Sequence, residues 1–326
     1  MAAITLLEAI RQGLWEEMER DNRVFLLGED IGVYGGAFKV TDGFLDRFGA
    51  DRVIDTPISE SAIVGAACGA SMMGLRPVAE MQFIDFISCC FDILTNYAAK
   101  SRYRQGIGIP IVVRGPAGGG VHGGPFHSQN VESFFLNTPG LKMVEPSTPY
   151  DAKGLIKAAI RDPDPVLFFE HKYLYRNPKI KQEVPSQDYI VPIGKATIRR
   201  EGTDLSVITY GAMVYTALEA AEKLVQEGVD VEVMDLRTLM PLDRDAIVDT
   251  VKKTNKVIIL HEATRTGGLA GEVTALINEG AFEYLDGPVV RVTSIDTPVP
   301  YAPPLEEFFM PQVDDVLKAA RTLAAY

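Results

Sequence analysis

The sequence predicts an α/β protein made of two successive units, and three observations carry that expectation. Short apolar runs of strand length alternate with longer segments of helical period. The alternation stops at a proline-bearing, aperiodic stretch over 173–192 and then resumes. A length of 326 residues is also about twice the ~150 that serve as a soft prior for one domain. The boundary is therefore expected near residue 185, giving domains over 1–185 and 186–326.

Each element follows from its own pattern. Leu7, Ile10, Leu14 and Met18 recur at helical spacing with Glu8 in the first turn, which marks an amphipathic helix rather than an export signal. Apolar runs at 24–27, 76–82, 109–114, 141–145 and 165–170 read as buried parallel strands, with helices over 60–74, 87–103 and 149–161 between them. The second unit repeats the scheme. Strands are expected at 205–210, 229–236, 256–262 and 289–294, and helices at 213–227, 243–253 and 267–279.

Composition narrows the function. Thirty-two basic against 44 acidic residues leave a net charge of −12, which argues against holding a nucleic acid by phosphate neutralisation. The three cysteines, Cys68, Cys89 and Cys90, form no Cys-x-x-Cys pair, so neither a disulfide framework nor a zinc site is expected, and a reducing, cytoplasmic setting is. The longest run free of charged residues and histidine, 61–75, is shorter than the ~18 to 20 residues a membrane helix needs, so no membrane partner is expected.

A glycine-rich segment invites a dinucleotide reading. Gly118-Gly119-Gly120-Val121-His122-Gly123 fits G-x-G-x-x-G after an apolar run, and Glu145 follows 145 − 123 = 22 residues on. The fingerprint requires a long helix to start at its third glycine, whereas Gly124-Pro125 follows at once, so the nicotinamide-dehydrogenase reading is set aside. What remains is a loop with six glycines among residues 115–124, leading to His127-Ser128-Gln129. So much glycine signals tight turns or close approach to a ligand.

Three other segments carry candidate chemistry. Glu60 opens a small-residue apolar helix, where a carboxylate serves either the helix dipole or proton transfer in an apolar cleft. Gln82-Phe83-Ile84-Asp85-Phe86 follows a strand; its aromatics suit a core and Asp85 a helix cap. His127 serves equally as a structural loop residue or as an acid or base.

Read together, these segments resemble the β subunit of the thiamine-diphosphate-dependent E1 component of 2-oxo-acid dehydrogenase complexes. The resemblance rests on GEDIGVYGGAFKVTDGF from Gly28, RVIDTPISESAIVGAA from Arg52, PVAEMQFIDF from Pro77, GGPFHSQ from Gly123, STPYDAKGLIKAAIRDPDPV from Ser147 and DLRTLMPLD from Asp235. It implies an N-terminal pyrimidine-binding domain with a parallel sheet and helices on both faces, followed by a transketolase C-terminal-like α/β domain. It assigns Glu60 to the aminopyrimidine N1′ of thiamine diphosphate and Phe86 to stacking on that ring. Gln82 and Glu29 are placed among the cofactor-binding residues, and His127 at the mouth of the site as the group serving lipoyl acylation. K⁺ is implied near the carbonyls of Ile111, Ala159, Asp162 and Asp164.

One absence bears on assembly. The family holds the cofactor's diphosphate through Mg²⁺ with Gly-Asp-Gly and a later Asn-Asn, and this sequence has neither. The resemblance therefore implies an E1 α partner in an α2β2 assembly, an E2 acyltransferase downstream and a 2-oxo acid as substrate. FFEHKYLYR from Phe168 and HEATRTGG from His261 resemble the branched-chain members, with 2-oxoisovalerate as the expected substrate and pyruvate or acetoin enzymes as alternatives. A non-catalytic scaffold subunit is the remaining rival class.

Overall fold

The computed structural model describes residues 3–326. The chain divides into two compact units, Met1–Ala117 with Phe134–Ile193, and Gly118–Ser133 with Gly194–Tyr326.

In the first unit, helix α1 (Leu6–Arg20) begins at a capping box in which Thr5 and Glu8 satisfy each other's backbone amides, and it buries Leu7, Ile10, Leu14 and Met18 as their spacing requires. Strand β1 (Val24–Gly28) is buried at every position. After helix α2 (Phe44–Phe48) come strand β2 (Val53–Asp55), helix α3 (Glu60–Met72) and strand β3 (Arg76–Glu80). A helix was expected over 87–103. The chain instead runs through a 3₁₀ turn, Ile84–Cys90, and a π turn, Ile93–Ala98, before helix α4 (Ala99–Gln105). Side chains there bond to the backbone three or four residues back, Ser88 Oγ to the Asp85 carbonyl at 3.0 Å and Thr95 Oγ1 to that of Phe91 at 2.8 Å, which competes with a regular helix.

Strand β4 (Val112–Ala117), strand β5 (Lys142–Val144), helix α5 (Pro149–Arg161) and strand β6 (Val166–His171) complete the unit. Its strands lie in the order β5-β6-β4-β3-β1-β2, all pairs parallel. Helix α1 packs on α5 at Gly13, where an added Cβ would stand 2.4 Å from Ile156 Cγ2, so only glycine allows that approach. The unit runs to Ile193, eight residues beyond 185, because the chain after 185 stays on α5. Tyr189 stacks on Tyr150 with ring centroids 4.6 Å apart, and Val191 lies against Gly154.

The second unit holds strand β7 (Thr197–Arg200), strand β8 (Leu205–Thr209), helix α6 (Met213–Val225), strands β9 (Val231–Asp235) and β10 (Thr238–Met240), and helix α7 (Arg244–Thr254). Strand β11 (Val257–Thr264), helix α8 (Leu269–Ala281), strand β12 (Val290–Ser294) and helices α9 (Pro303–Phe309) and α10 (Val313–Ala324) follow. The order is β12-β11-β8-β9-β7, parallel except for β7, which runs antiparallel to β9. No helix among the described residues is long and apolar enough to cross a membrane.

Candidate active site

Ligands in open α/β sheets bind beyond the carboxyl ends of the strands, because loops there are free of the crossover helices' packing. Three adjacent strands of the first unit bring the expected residues to that edge. Glu29 directly follows β1, Glu60 opens α3 after β2, and Gln82 and Phe86 follow β3.

Glu29 is buried, and its Oε1 has no hydrogen-bond partner. Burial raises its pKa, the charges of Glu60 and Asp30 raise it further, and a hydrogen bond from the Ser59 amide opposes them. A buried carboxylate with an open acceptor, beside a second carboxylate, is costly unless a donor arrives from elsewhere. Glu60 is half-buried and sits in the first turn of α3. The turn after β1 is built for tight folding: Asp30 adopts φ 57°, Gly35 and Gly36 adopt φ 79° and 82°, and Gly32 N donates to Asp55 Oδ1 at 2.6 Å. Gln82 reaches this turn, its Nε2 donating to Asp30 Oδ2 at 3.2 Å.

Phe86 is half-buried on the 3₁₀ turn, edge-on to Phe83 at 6.4 Å between centroids. Phe83 is edge-on to Phe38, which packs on Tyr175. This row fixes the Phe86 ring while leaving part of it uncovered. Tyr175 leads into a buried ionic cluster that the sequence did not single out. Arg114 pairs with Glu80 and binds Glu170 with both oxygens, Nε to Oε1 at 2.5 Å and Nη2 to Oε2 at 2.7 Å, while Tyr175 Oη donates to Glu170 Oε2 at 2.5 Å. Burial disfavours the guanidinium, but the Glu170 and Glu80 charges outweigh it and hold the Arg114 pKa above its ordinary value.

The carbonyl-bearing residues Ile111, Ala159, Asp162 and Asp164 lie just before β4, at the end of α5 and just before β6. Their surroundings are already occupied in part. The Ile111 carbonyl accepts from Val166 N at 3.0 Å, that of Ala159 from Asp162 N at 3.3 Å, and that of Asp162 from Arg76 Nη1 at 3.1 Å. Lys142 Nζ binds both Asp162 carboxylate oxygens, at 2.7 and 2.6 Å. Each of these three carbonyls retains a second lone pair, a donor set of neutral hard oxygens.

His127 packs with the second compact unit together with the rest of 118–133, although its position along the chain falls within 1–185. The reason is the fate of the glycine loop. Gly119 N donates to Glu262 Oε1 at 2.6 Å, and Asn130 Nδ2 donates to the same oxygen at 2.9 Å. Gly120 N donates to Glu306 Oε1 at 3.0 Å and His122 N to Glu306 Oε2 at 3.1 Å. No long helix follows Gly123; a 3₁₀ turn, Gly124–Phe126, ends at His127, whose amide bonds to the Gly124 carbonyl at 3.3 Å. Loop amides that a pyrophosphate would need are thus given to protein carboxylates, which is the physical case against the nucleotide reading. Glu262 lies on β11, within HEATRTGG, and Glu306 lies on α9, an element with no counterpart among the expected ones.

Cys68 and Cys90 are buried, and burial pushes their thiols up to about 11 and about 12; Cys89 is exposed, its carbonyl accepting from Ser61 Oγ at 2.5 Å.

Comparison with known proteins gives the arrangement a family. Residues 2–178 match the transketolase pyrimidine binding domain, and residues 194–316 the transketolase C-terminal domain. The 2-oxoisovalerate dehydrogenase subunit beta of Bacillus subtilis (strain 168) is 53% identical, over the full length of both chains. The pyruvate dehydrogenase E1 component subunit beta of the same organism is 46% identical, again over all of both chains, and that of Staphylococcus aureus (strain COL) 44% over 98% of each. Among solved structures, a split-gene transketolase described as an inactive beta4 tetramer superposes with a TM-score of 0.78 at 24% identity, covering 99% of each chain, which speaks to the fold. With both domains matched in order and full-length relatives at this identity, the chain belongs to the family of 2-oxo-acid dehydrogenase E1 β subunits.

Proposed function

We propose that the chain is the pyrimidine-binding half of a thiamine-diphosphate-dependent 2-oxo-acid dehydrogenase, completed by an E1 α chain in an α2β2 enzyme that passes its acyl group to the lipoyl group of an E2. The observation that carries this reading is the gathering of Glu29, Glu60 and Phe86 at three adjacent strand ends, with one buried carboxylate oxygen left open.

The residues suit the cofactor's aminopyrimidine. Glu60 is the carboxyl group that hydrogen-bonds the ring nitrogen and shares a proton with it. Phe86 offers a flat apolar face for the ring, and Gln82 holds the Asp30 turn beside it. Glu29, whose ionisation is disfavoured beside Glu60, supplies the buried acceptor behind it. Thiamine diphosphate, when bound, supplies the nucleophilic carbon and the electron sink needed for loss of CO₂ from a 2-oxo acid. On acyl transfer, the lipoyl S–S bond is broken by the electron pair left on the substrate carbon after loss of CO₂, one sulfur leaving with the acyl group and the other taking a proton; His127 is this chain's group for that proton.

The missing Gly-Asp-Gly and Asn-Asn leave Mg²⁺ and the diphosphate to the α chain. In this reading the carbonyls of Ile111, Ala159, Asp162 and Asp164, around the start of β4 and β6 and the end of α5, are the oxygens that would hold a structural K⁺. A cytoplasmic setting suits the free thiols. The 53% relative, with the FFEHKYLYR and HEATRTGG segments, supports 2-oxoisovalerate and other branched-chain acids as substrates; the 46% relative keeps pyruvate as the second reading. Steady-state rates of the αβ pair on 2-oxoisovalerate, pyruvate and 2-oxoglutarate test this. The highest kcat/KM is expected with 2-oxoisovalerate; a preference for pyruvate would move the enzyme to the second reading, and no turnover with any of the three would refute the proposal.

A further inference from the structure

The histidine assigned to acyl transfer sits on a loop that ought to be loose. Residues 118–127 contain five glycines and form no regular element longer than one 3₁₀ turn, and Gly118, Gly120 and Gly124 adopt φ 79°, 79° and 68°. Such a segment has a large conformational entropy to lose, and catalysis by a group at its end requires that the loss be offset locally.

The structure offsets it with two carboxylates. Glu262 closes the base of the loop, one oxygen accepting from Gly119 on the way in and from Asn130 on the way out. Gly118 N adds a bond to the Gln129 carbonyl at 3.2 Å across the same base. Glu306 holds the tip. It is 2% exposed, its two oxygens take the Gly120 and His122 amides, and the His122 imidazole closes over it, Nδ1 to Oε2 at 2.6 Å. His122 adopts φ 61°, a conformation a non-glycine residue holds only when its surroundings fix it. Beyond the tip, Gly124 lies so close to Tyr301 that a Cβ would stand 2.1 Å from its ring. The chain from 119 to 124 is therefore clasped from α9 and the segment before it, three residues short of His127.

We propose that Glu306 is a positioning residue for His127: by clasping the Gly120 and His122 amides together with the His122 imidazole, it sets where His127 stands for acyl transfer to the lipoyl group. The inference rests on the acyl-transfer role of His127 stated above. Glutamate suits the task and glutamine does not. A carboxylate presents acceptors on both oxygens, whereas an amide turns one of them into a donor that faces the backbone N–H of either Gly120 or His122.

The test uses the assembled αβ enzyme carrying Glu306→Gln, His127→Ala or both. Decarboxylation is measured with an artificial electron acceptor and acylation with a free lipoyl domain, and amide hydrogen exchange is followed over 118–127. Glu306→Gln is expected to speed exchange at Gly120 and His122 and to lower kcat/KM for the lipoyl domain about tenfold, with the acceptor-coupled rate changed less than about twofold. In the His127→Ala background it is expected to add nothing. Should Glu306→Gln fold poorly, His122→Ala removes the imidazole while leaving the carboxylate able to take both amides, and a smaller loss in the same assay is expected. Unchanged exchange, unchanged acylation despite faster exchange, or additive losses in the double variant would each overturn the clasp while leaving the His127 role intact. If His127→Ala itself spares acylation, the role of His127 falls and the clasp with it.

Discussion

The carboxylates at the strand ends of the first unit and those under the glycine loop of the second are both removed from water, yet they are left with different things to do. Glu29 has an oxygen without a partner and a pKa raised by burial and by Glu60, while Glu262 and Glu306 accept from Gly119, Asn130, Gly120 and His122. A carboxylate whose acceptors are filled by its own chain holds structure; one with an acceptor open has room for a donor from outside the chain. The Arg114, Glu80, Glu170 and Tyr175 cluster shows that the distinction follows bonding and not location, since it lies in the first unit and is filled.

Substitutions can break this contrast. Glu60→Gln in the αβ enzyme should cost the most in chemistry, lowering decarboxylation on the order of 10² to 10⁴-fold with little change in melting temperature. Near-normal turnover would remove Glu60 from the proton path. Arg114→Met should act the other way. It strands two buried glutamates and is expected to cost about 3–5 kcal/mol of stability, read as a shifted denaturation midpoint. A midpoint close to wild type would mean that the filled cluster carries no stability.

The smallest effect is one of pH. His261, fully buried on β11, has its pKa pushed down to about 4 by burial, against a hydrogen bond with the Ala263 carbonyl. Its folded pKa lies below the unfolded value of about 6.5, so the unfolded chain binds the extra proton and stability is lost as pH falls from about 6.5 towards 4. Between pH 7 and 5 this amounts to about 2 kcal/mol. The difference in stability between wild type and His261→Gln should shrink by that amount over this range; a constant difference would contradict it.

The legible parts of the fold were those with a repeating signal. Leu7, Ile10, Leu14 and Met18 spell out α1, the fully buried strand β1 reads as an unbroken apolar run, and the equally buried β8 and β9 read as runs rich in Val, Ile, Leu and Met despite Ser206, Glu232 and Asp235. Strand β2, of three residues, and helix α2, of five, are too short for any period to show, and β7 is half-buried throughout, so no alternation marks it. Helix α10 is different. Val316, Leu317, Ala320 and Leu323 form an apolar stripe opened by a Gln312 and Asp315 capping box, a signal present in the sequence beyond the last element expected there. At the site, Glu60 and Phe86 gained meaning only from the order of motifs along the chain. Glu262 and Glu306 had no such motif: their partners lie 143 and 186 residues away, and no local pattern reports a bond to a distant amide.

The three cysteines give the chain a built-in reporter. Thiolate is the species that reacts with maleimides and iodoacetamides, and with pKa values of about 11 and about 12 Cys68 and Cys90 present almost none near neutrality, besides being covered. Cys89 is in the open, and its backbone is tied to Ser61, the residue after Glu60. A fluorophore or spin label introduced without any mutagenesis would therefore settle at one position, one hydrogen bond from the start of α3. Its emission or line shape would register a partner chain or a cofactor arriving at Glu60.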